Sequence, residues 1–127
     1  MKKLFLLFSH TLTNAQISDA KDSLGIDEFV SLNSELQTLW SNVPPTLEDL
    51  VSYLQPLRNF LIENLNSNDL VLLHGDAGAT YSVVFFLKSL GFNAVYATTQ
   101  REVVELKDND GKVFKQSVFR HVRFRQY

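Results

Sequence analysis

The sequence predicts an α/β fold: a mostly parallel sheet flanked by helices, finished by a C-terminal antiparallel hairpin. Three observations carry that expectation. Short, wholly apolar runs such as "LFLLF" and "LVLL" lack the alternation of a half-exposed strand and suit strands covered on both faces. Between them lie segments of helical periodicity bounded by capping residues. Near the end, "DNDG" separates two strand-like stretches and reads as a hairpin turn. At 127 residues, with ordinary apolar content and no low-complexity segment, residues 1–127 form a single domain.

Each element has a local reason. Leu4 to Phe8 is the first strand. Although "MKKLFLLFSH" has the charge order of an export signal, its apolar stretch is too short for one and no small-residue cleavage site follows. Thr13 with Gln16 three residues on forms a capping box, so a helix starts at Asn14; Ile17, Ala20 and Leu24 keep helical spacing and Gly25 stands at its end. Glu28 to Ser31 is a short second strand, and "NSELQTLWSNVPP" holds one short helix stopped by Pro44 and Pro45. Thr46 then caps a longer helix with Leu47, Leu50, Leu54, Leu57 and Leu61 on one face, kinked by Pro56 near Gln55. Asp69 to His74 is the third strand, Ala79 to Leu90 a helix, and Asn93 to Ala97 the fourth strand. Glu102 to Lys107 and the residues from Lys112 onward make the hairpin. This order describes a Rossmann-like domain with an added hairpin.

Composition narrows the chemistry. The absence of cysteine removes disulfides, thiolate nucleophiles and cysteine-ligated zinc, and fits a cytoplasmic protein. No run approaches the ~18 apolar residues of a transmembrane helix, so a soluble protein with no membrane partner is expected. The net charge of −2 argues against DNA or other bulk nucleic acid as partner. Its distribution is uneven, because Lys112, Lys115, Arg120, Arg123 and Arg125 follow one another with no acidic residue between. Such a run either walls a site for a small polyanion or keeps an edge strand soluble.

In open α/β sheets, ligands bind beyond the C-terminal ends of the strands, where strand order reverses. If the first and third strands are neighbours, Ser9, His10 and Thr11 face His74, Gly75 and Asp76 across that crevice. In "HGDAGAT", Gly75 and Gly78 would permit positive φ and close approach of a ligand. Ala77, Ala79 and Thr80 then open the next helix, whose free N–H groups favour phosphate. The loop is neither a P-loop nor GxGxxG and can equally be a tight connection. "ATTQRE" brings Thr98, Thr99 and Arg101 to the same rim, and strand alternation puts His121, Arg123 and Arg125 on one side. Trp40 either stacks on a purine or anchors its loop.

Hydroxyls, amides and guanidinium groups together suit several phosphates joined by sugars. Too few acidic residues lie near the rim for metal-dependent hydrolysis, so neither metal nor cofactor is expected. A Ser9–His10–Asp76 triad is disfavoured because adjacent strand residues point apart. Phosphodiester cleavage by an internal ribose 2′-hydroxyl needs neither metal nor protein nucleophile, only alignment and donors on the developing charge. Ser9, His10 and His74 are the candidates for orienting or deprotonating that hydroxyl.

The stretches "KLFLLFSHTLT", "LQTLWSNVPP", "HGDAGATY" and "VYATTQREV", with the ending "FRHVRFRQY", resemble the small CRISPR-associated ring nucleases of type III systems, relatives of the CARF domain. The resemblance runs over nearly the whole chain. It implies a CARF-like homodimer that binds a cyclic oligoadenylate second messenger, cyclic tetra-adenylate being the expected ring, and linearises it without metal. Cleavage would switch off the immune effectors that the messenger activates. A non-catalytic sensor or sponge for the same messenger is the alternative. A third reading makes the apolar helix run "VVFFL" a surface for assembly alone.

Overall fold

A computed structural model describes residues 1–127 and shows an α/β chain of nine elements. They are β1 (Lys3–Leu7), α1 (Asn14–Leu24), β2 (Glu28–Ser31), α2 (Ser34–Ser41), α3 (Gln55–Asn64), β3 (Leu70–Leu73), α4 (Ala77–Ser89), β4 (Asn93–Lys107) and β5 (Val113–Gln126). The strands form one mixed sheet in the order β2-β1-β3-β4-β5. The first four run parallel and β5 returns antiparallel along β4, so the expected sheet and hairpin are both present. No helix is long and apolar enough to cross a membrane.

The apolar strands are buried as their composition requires. In β3, Leu70 and Leu72 face one side of the sheet and Val71 and Leu73 the other, and all four are buried. In β1, Leu4 and Leu7 have no exposed surface, which places "LFLL" in the sheet core. The larger core, around Phe5, Trp40, Leu57, Leu61 and Val83, lies under α2, α3 and α4. The smaller core, with Leu4, Ala20, Leu72, Val95 and Phe124, lies under α1 alone. One face of the sheet therefore carries three helices and the other a single helix of 11 residues.

Local signals explain several boundaries. Thr13 and Gln16 make the reciprocal capping box, and Gly25 ends α1 at φ 68°. The helix expected from Thr46 begins only at Gln55, while Val51 to Leu54 form turns. Pro56 does not kink a helix there but occupies the first turn of α3, where its missing N–H has no intrahelical partner to lose. Arg58 fastens the preceding turn by donating to the Val51 carbonyl. A second correction concerns β4, expected to stop at Ala97 and resume at Glu102. It is continuous for 15 residues, since no glycine or proline interrupts it and β5 supplies partners from Val95 onward. Beyond Val95 it has left β3 behind, and the two last strands rise as a ribbon roughly 35 Å long.

Asp69, expected as the first residue of the third strand, precedes it and is fully buried. Its carboxylate accepts from the Lys3 amide at 3.0 Å and from the Asn66 amide at 2.8 Å, joining the start of β1 to the turn before β3. Asp69→Ala strands both amides. The expected loss of stability is about 1–3 kcal/mol by urea denaturation, and a variant as stable as the parent would show that water replaces the carboxylate at no cost.

Candidate functional site

The strand order reverses between β1 and β3, which are direct neighbours. The His74 amide donates to the Leu7 carbonyl at 3.0 Å, one residue beyond the strand. The crevice expected from the sequence is thus where the sheet places it, with Ser9, His10 and Thr11 on one lip and His74, Gly75 and Asp76 on the other. His10 and His74 are exposed and share one aromatic neighbour: the Phe8 ring lies 5.5 Å from His10 and 6.1 Å from His74, edge-on to both.

Because α1 alone covers its face of the sheet, open space remains on either side of its N-terminal half. Between α1 and β2 lies a cavity of about 450 Å³ bordered by Leu12, Ile17, Phe29, Ser31 and Gln37, with Ser9, His10 and Thr11 at its rim. On the β4 side lies one of about 550 Å³, bordered by Gln16, Leu72, His74, Ala97, Thr99 and Phe119. Phe8 and His10 belong to both. Gln16, Thr99 and Phe119 continue into a third cavity of about 410 Å³ that reaches Arg120 and His121.

Several expectations need correcting. Gly75 and Gly78 both have ordinary backbone angles, and positive φ is confined to Gly25, Gly91 and Gly111. Gly75 is small for another reason: an added Cβ would lie 3.0 Å from the indole of Trp40. Trp40 itself is 2 % exposed and donates from Nε1 to the His74 carbonyl at 3.2 Å, so it anchors the loop and offers no face to a purine. Asp76 caps α4 by accepting from the Ala79 amide at 3.0 Å. Its negative charge occupies the place a phosphate would take, which weakens the expected anion site. Ala77 and Gly78 are exposed in the first turn, whereas Ala79 is wholly buried. Thr80 is half-buried, its hydroxyl without a partner. None of the residues from Gly75 to Thr80 borders the two cavities beside His10.

The basic strand also differs. Thr98 and Thr99 lie within β4, not in a rim loop, and only Thr99 borders a cavity. The Thr98 hydroxyl is bonded to the backbone of Arg123 at a β-bulge. That bulge breaks the alternation of β5. His121 turns toward α1, where its Nε2 lies 2.7 Å from Asp19 Oδ2, while Arg125 reaches Tyr96 across the strand pair. His121 is therefore a strut between α1 and β5, not a rim ligand; its side chain is 5 % exposed and its Nδ1 has no partner. Arg120 pairs with Glu102 at 2.6 Å and Arg101 donates to Ser117, so both are engaged within the ribbon. Arg123 remains exposed. Ser9 bonds Ser41 at 3.1 Å.

Chemically, the site is two part-apolar hollows separated by an exposed imidazole, with a second imidazole 6.1 Å from the same phenyl ring. No three His, Asp or Glu side chains gather into a cluster able to hold a metal ion. Phe8, Phe29, Gln37 and Phe119 were not legible as site residues. Phe119 is the one that a sequence signal marks, as an aromatic among cations on a strand that needs no core residue there. Asp19 and His121 stand 102 residues apart, and nothing in the sequence pairs them.

A family model described as "Uncharacterized protein MJ1673 family" matches residues 2–125. An uncharacterized protein MJ1673 of Methanocaldococcus jannaschii is 46 % identical over 127 residues, covering 100 % of this chain and 98 % of the relative. No solved structure matches the chain.

Two measurements check the local roles. Gly75→Ala forces a methyl group against the Trp40 ring and should cost about 1–3 kcal/mol, whereas Gly78→Ala meets only ordinary contacts and should leave stability within about 0.5 kcal/mol. Equal stability of the two variants would remove the packing role of Gly75. The Asp19 carboxyl is held below its ordinary value by the Ser23 hydroxyl, then by His121. A depressed folded value means that its stabilisation is complete above the unfolded value near 3.9 and disappears as pH falls through the folded one. Thermal melts between about pH 2 and 6 should show a shallower acid decline for Asp19→Asn than for the parent; superimposable slopes would refute the linkage.

Proposed function

The chain belongs to the uncharacterized MJ1673 family, and we propose that it is a ring nuclease: a protein that binds a cyclic oligoadenylate and linearises it by internal attack of a ribose 2′-hydroxyl. In this reading the fold is CARF-like, the working unit is a homodimer in the cytoplasm, and the product signal is the shutdown of a type III CRISPR response. The observation that carries it is the meeting of His10 and His74 at the switch point, beside two hollows large enough for ligand groups. The resemblance of "KLFLLFSHTLT" and "HGDAGATY" to that family points the same way, since these stretches supply His10 and His74.

The chemistry asks little of the chain. The 2′-oxygen attacks the adjacent phosphorus, the bond from phosphorus to the 5′-oxygen breaks, and a 2′,3′-cyclic phosphate and a 5′-hydroxyl result. His10 accepts the 2′-proton, and solvent returns one to the departing 5′-oxygen. His74 stands as the donor near the developing phosphorane charge. A second copy supports the symmetry of a ring. An exposed aromatic face for a second copy lies on α4, across the sheet from the hollows, where Tyr81 and Phe85 are 73 % and 66 % exposed with their rings stacked 6.3 Å apart. The non-catalytic sensor is favoured by a different observation: both histidines rest against Phe8, with no carboxylate hydrogen-bonded to either to hold a tautomer.

Incubation with labelled cyclic tri-, tetra- and hexa-adenylate separates the two. Cleavage that persists in EDTA and leaves 2′,3′-cyclic phosphate ends is expected. His10→Ala should slow it about 10²- to 10⁴-fold with binding little changed. Binding without any product would leave the sensor, and full activity on a 2′-O-methyl ring would exclude internal attack.

A further inference from the structure

We propose that the two hollows flanking His10 are the base slots of one dinucleotide step, so that a single chain holds two neighbouring unpaired nucleotides and the phosphodiester between them crosses His10. This rests on the nucleotide reading above and makes it specific. The hollows are of similar size, about 450 and 550 Å³, and open on opposite sides of the same two residues, Phe8 and His10. Each has an aromatic wall. Phe29 borders the first; Phe119 borders the second and is 66 % exposed on the hairpin, a phenylalanine that the core does not use. A flat base stacked there covers a ring that otherwise faces water, and stacking tolerates any base.

Polar groups at the walls set direction. Gln37 spends both amide hydrogens, on the Phe8 carbonyl at 3.2 Å and on Ser41 Oγ at 2.9 Å, which leaves its side-chain carbonyl free to accept. A base with an exocyclic amine, such as adenine, supplies the matching donor. In the second hollow the Thr99 hydroxyl serves as donor or acceptor. A duplex cannot enter, because its paired bases present neither a free face nor a free Watson–Crick edge.

The test uses linear 2′-O-methyl ApA, which internal attack cannot cleave, against AMP, with affinities measured by calorimetry on the full chain. The dinucleotide should bind at least about tenfold more tightly than AMP. Phe119→Ala and Phe29→Leu, the latter keeping apolar volume but losing the flat ring, should each weaken it about 5- to 150-fold. Replacing one adenine by an abasic site should abolish the effect of one variant and spare the other. Equal affinity for AMP and dinucleotide, or dinucleotide binding unchanged in both folded variants, would overturn the clamp. The two readings fail separately: tight dinucleotide binding with no ring cleavage removes the nuclease and keeps the clamp, whereas ring cleavage unaffected by either variant removes the clamp and keeps the nuclease.

Discussion

The structure turns on the pairing of β1 with β3. Four residues of each strand lie in parallel register, Leu4 beside Leu70 to Leu7 beside Leu73, and the His74 amide adds one more hydrogen bond to the Leu7 carbonyl. The loops leaving the two strands must therefore start side by side, and with them His10 and His74. The pairing is secured from both ends. At one, buried Asp69 joins the Lys3 and Asn66 amides; at the other, the Trp40 indole holds the His74 carbonyl and packs against Gly75. Both faces of these strands are apolar, so alternation alone does not fix their register; a slip by one residue would instead pull the Lys3 amide from Asp69 and the His74 amide from the Leu7 carbonyl.

The unequal cover of the sheet accounts for the site. Three helices seal one face with a core of 15 buried residues, and nothing there opens to a ligand beside the histidines. The other face has α1 and a core of 7. One helix about 10 Å wide cannot cover five strands spaced about 4.8 Å apart, so hollows remain along both its flanks. The hairpin closes the farther one. The Asp19–His121 contact and the buried Phe124 tie it to α1, beside the hollow where Phe119 and Thr99 face Gln16.

Charge is arranged differently from what its order in the sequence suggests. The basic run of β5 is divided between partners: Arg120 to Glu102, Arg125 to Tyr96, and His121 to Asp19. Exposed pairs such as Arg120–Glu102, with side chains 63 % and 40 % exposed, contribute little to stability. They do limit the free cations on this strand. At the glycine loop, Asp76 supplies the negative charge that the α4 dipole attracts, so the loop is complete without a ligand. In the proposed function, recognition therefore falls chiefly to the apolar hollows and the imidazoles between them.

Where residues act through near neighbours in the chain, their local pattern sets the outcome. The apolar runs of β1 and β3, the Thr13–Gln16 capping box, the left-handed Gly25 and the "DNDG" turn all depend on residues a few positions apart, and each is found where its pattern requires. The α/β order and the crevice between the first and third strands follow from them. Tertiary structure alone decided the rest. Pro56 reads as a kink until one sees that no helix precedes it. Gly75 reads as a phosphate loop until Trp40, 35 residues away in sequence, is found beneath it. The side to which His121 turns depends on a bulge in a pairing between distant residues, and its bond to Asp19 spans 102 positions. Periodicity and capping are short-range steric and hydrogen-bonding effects, whereas the use of a glycine, a tryptophan or a histidine is set by whichever distant atom the packed core brings against it.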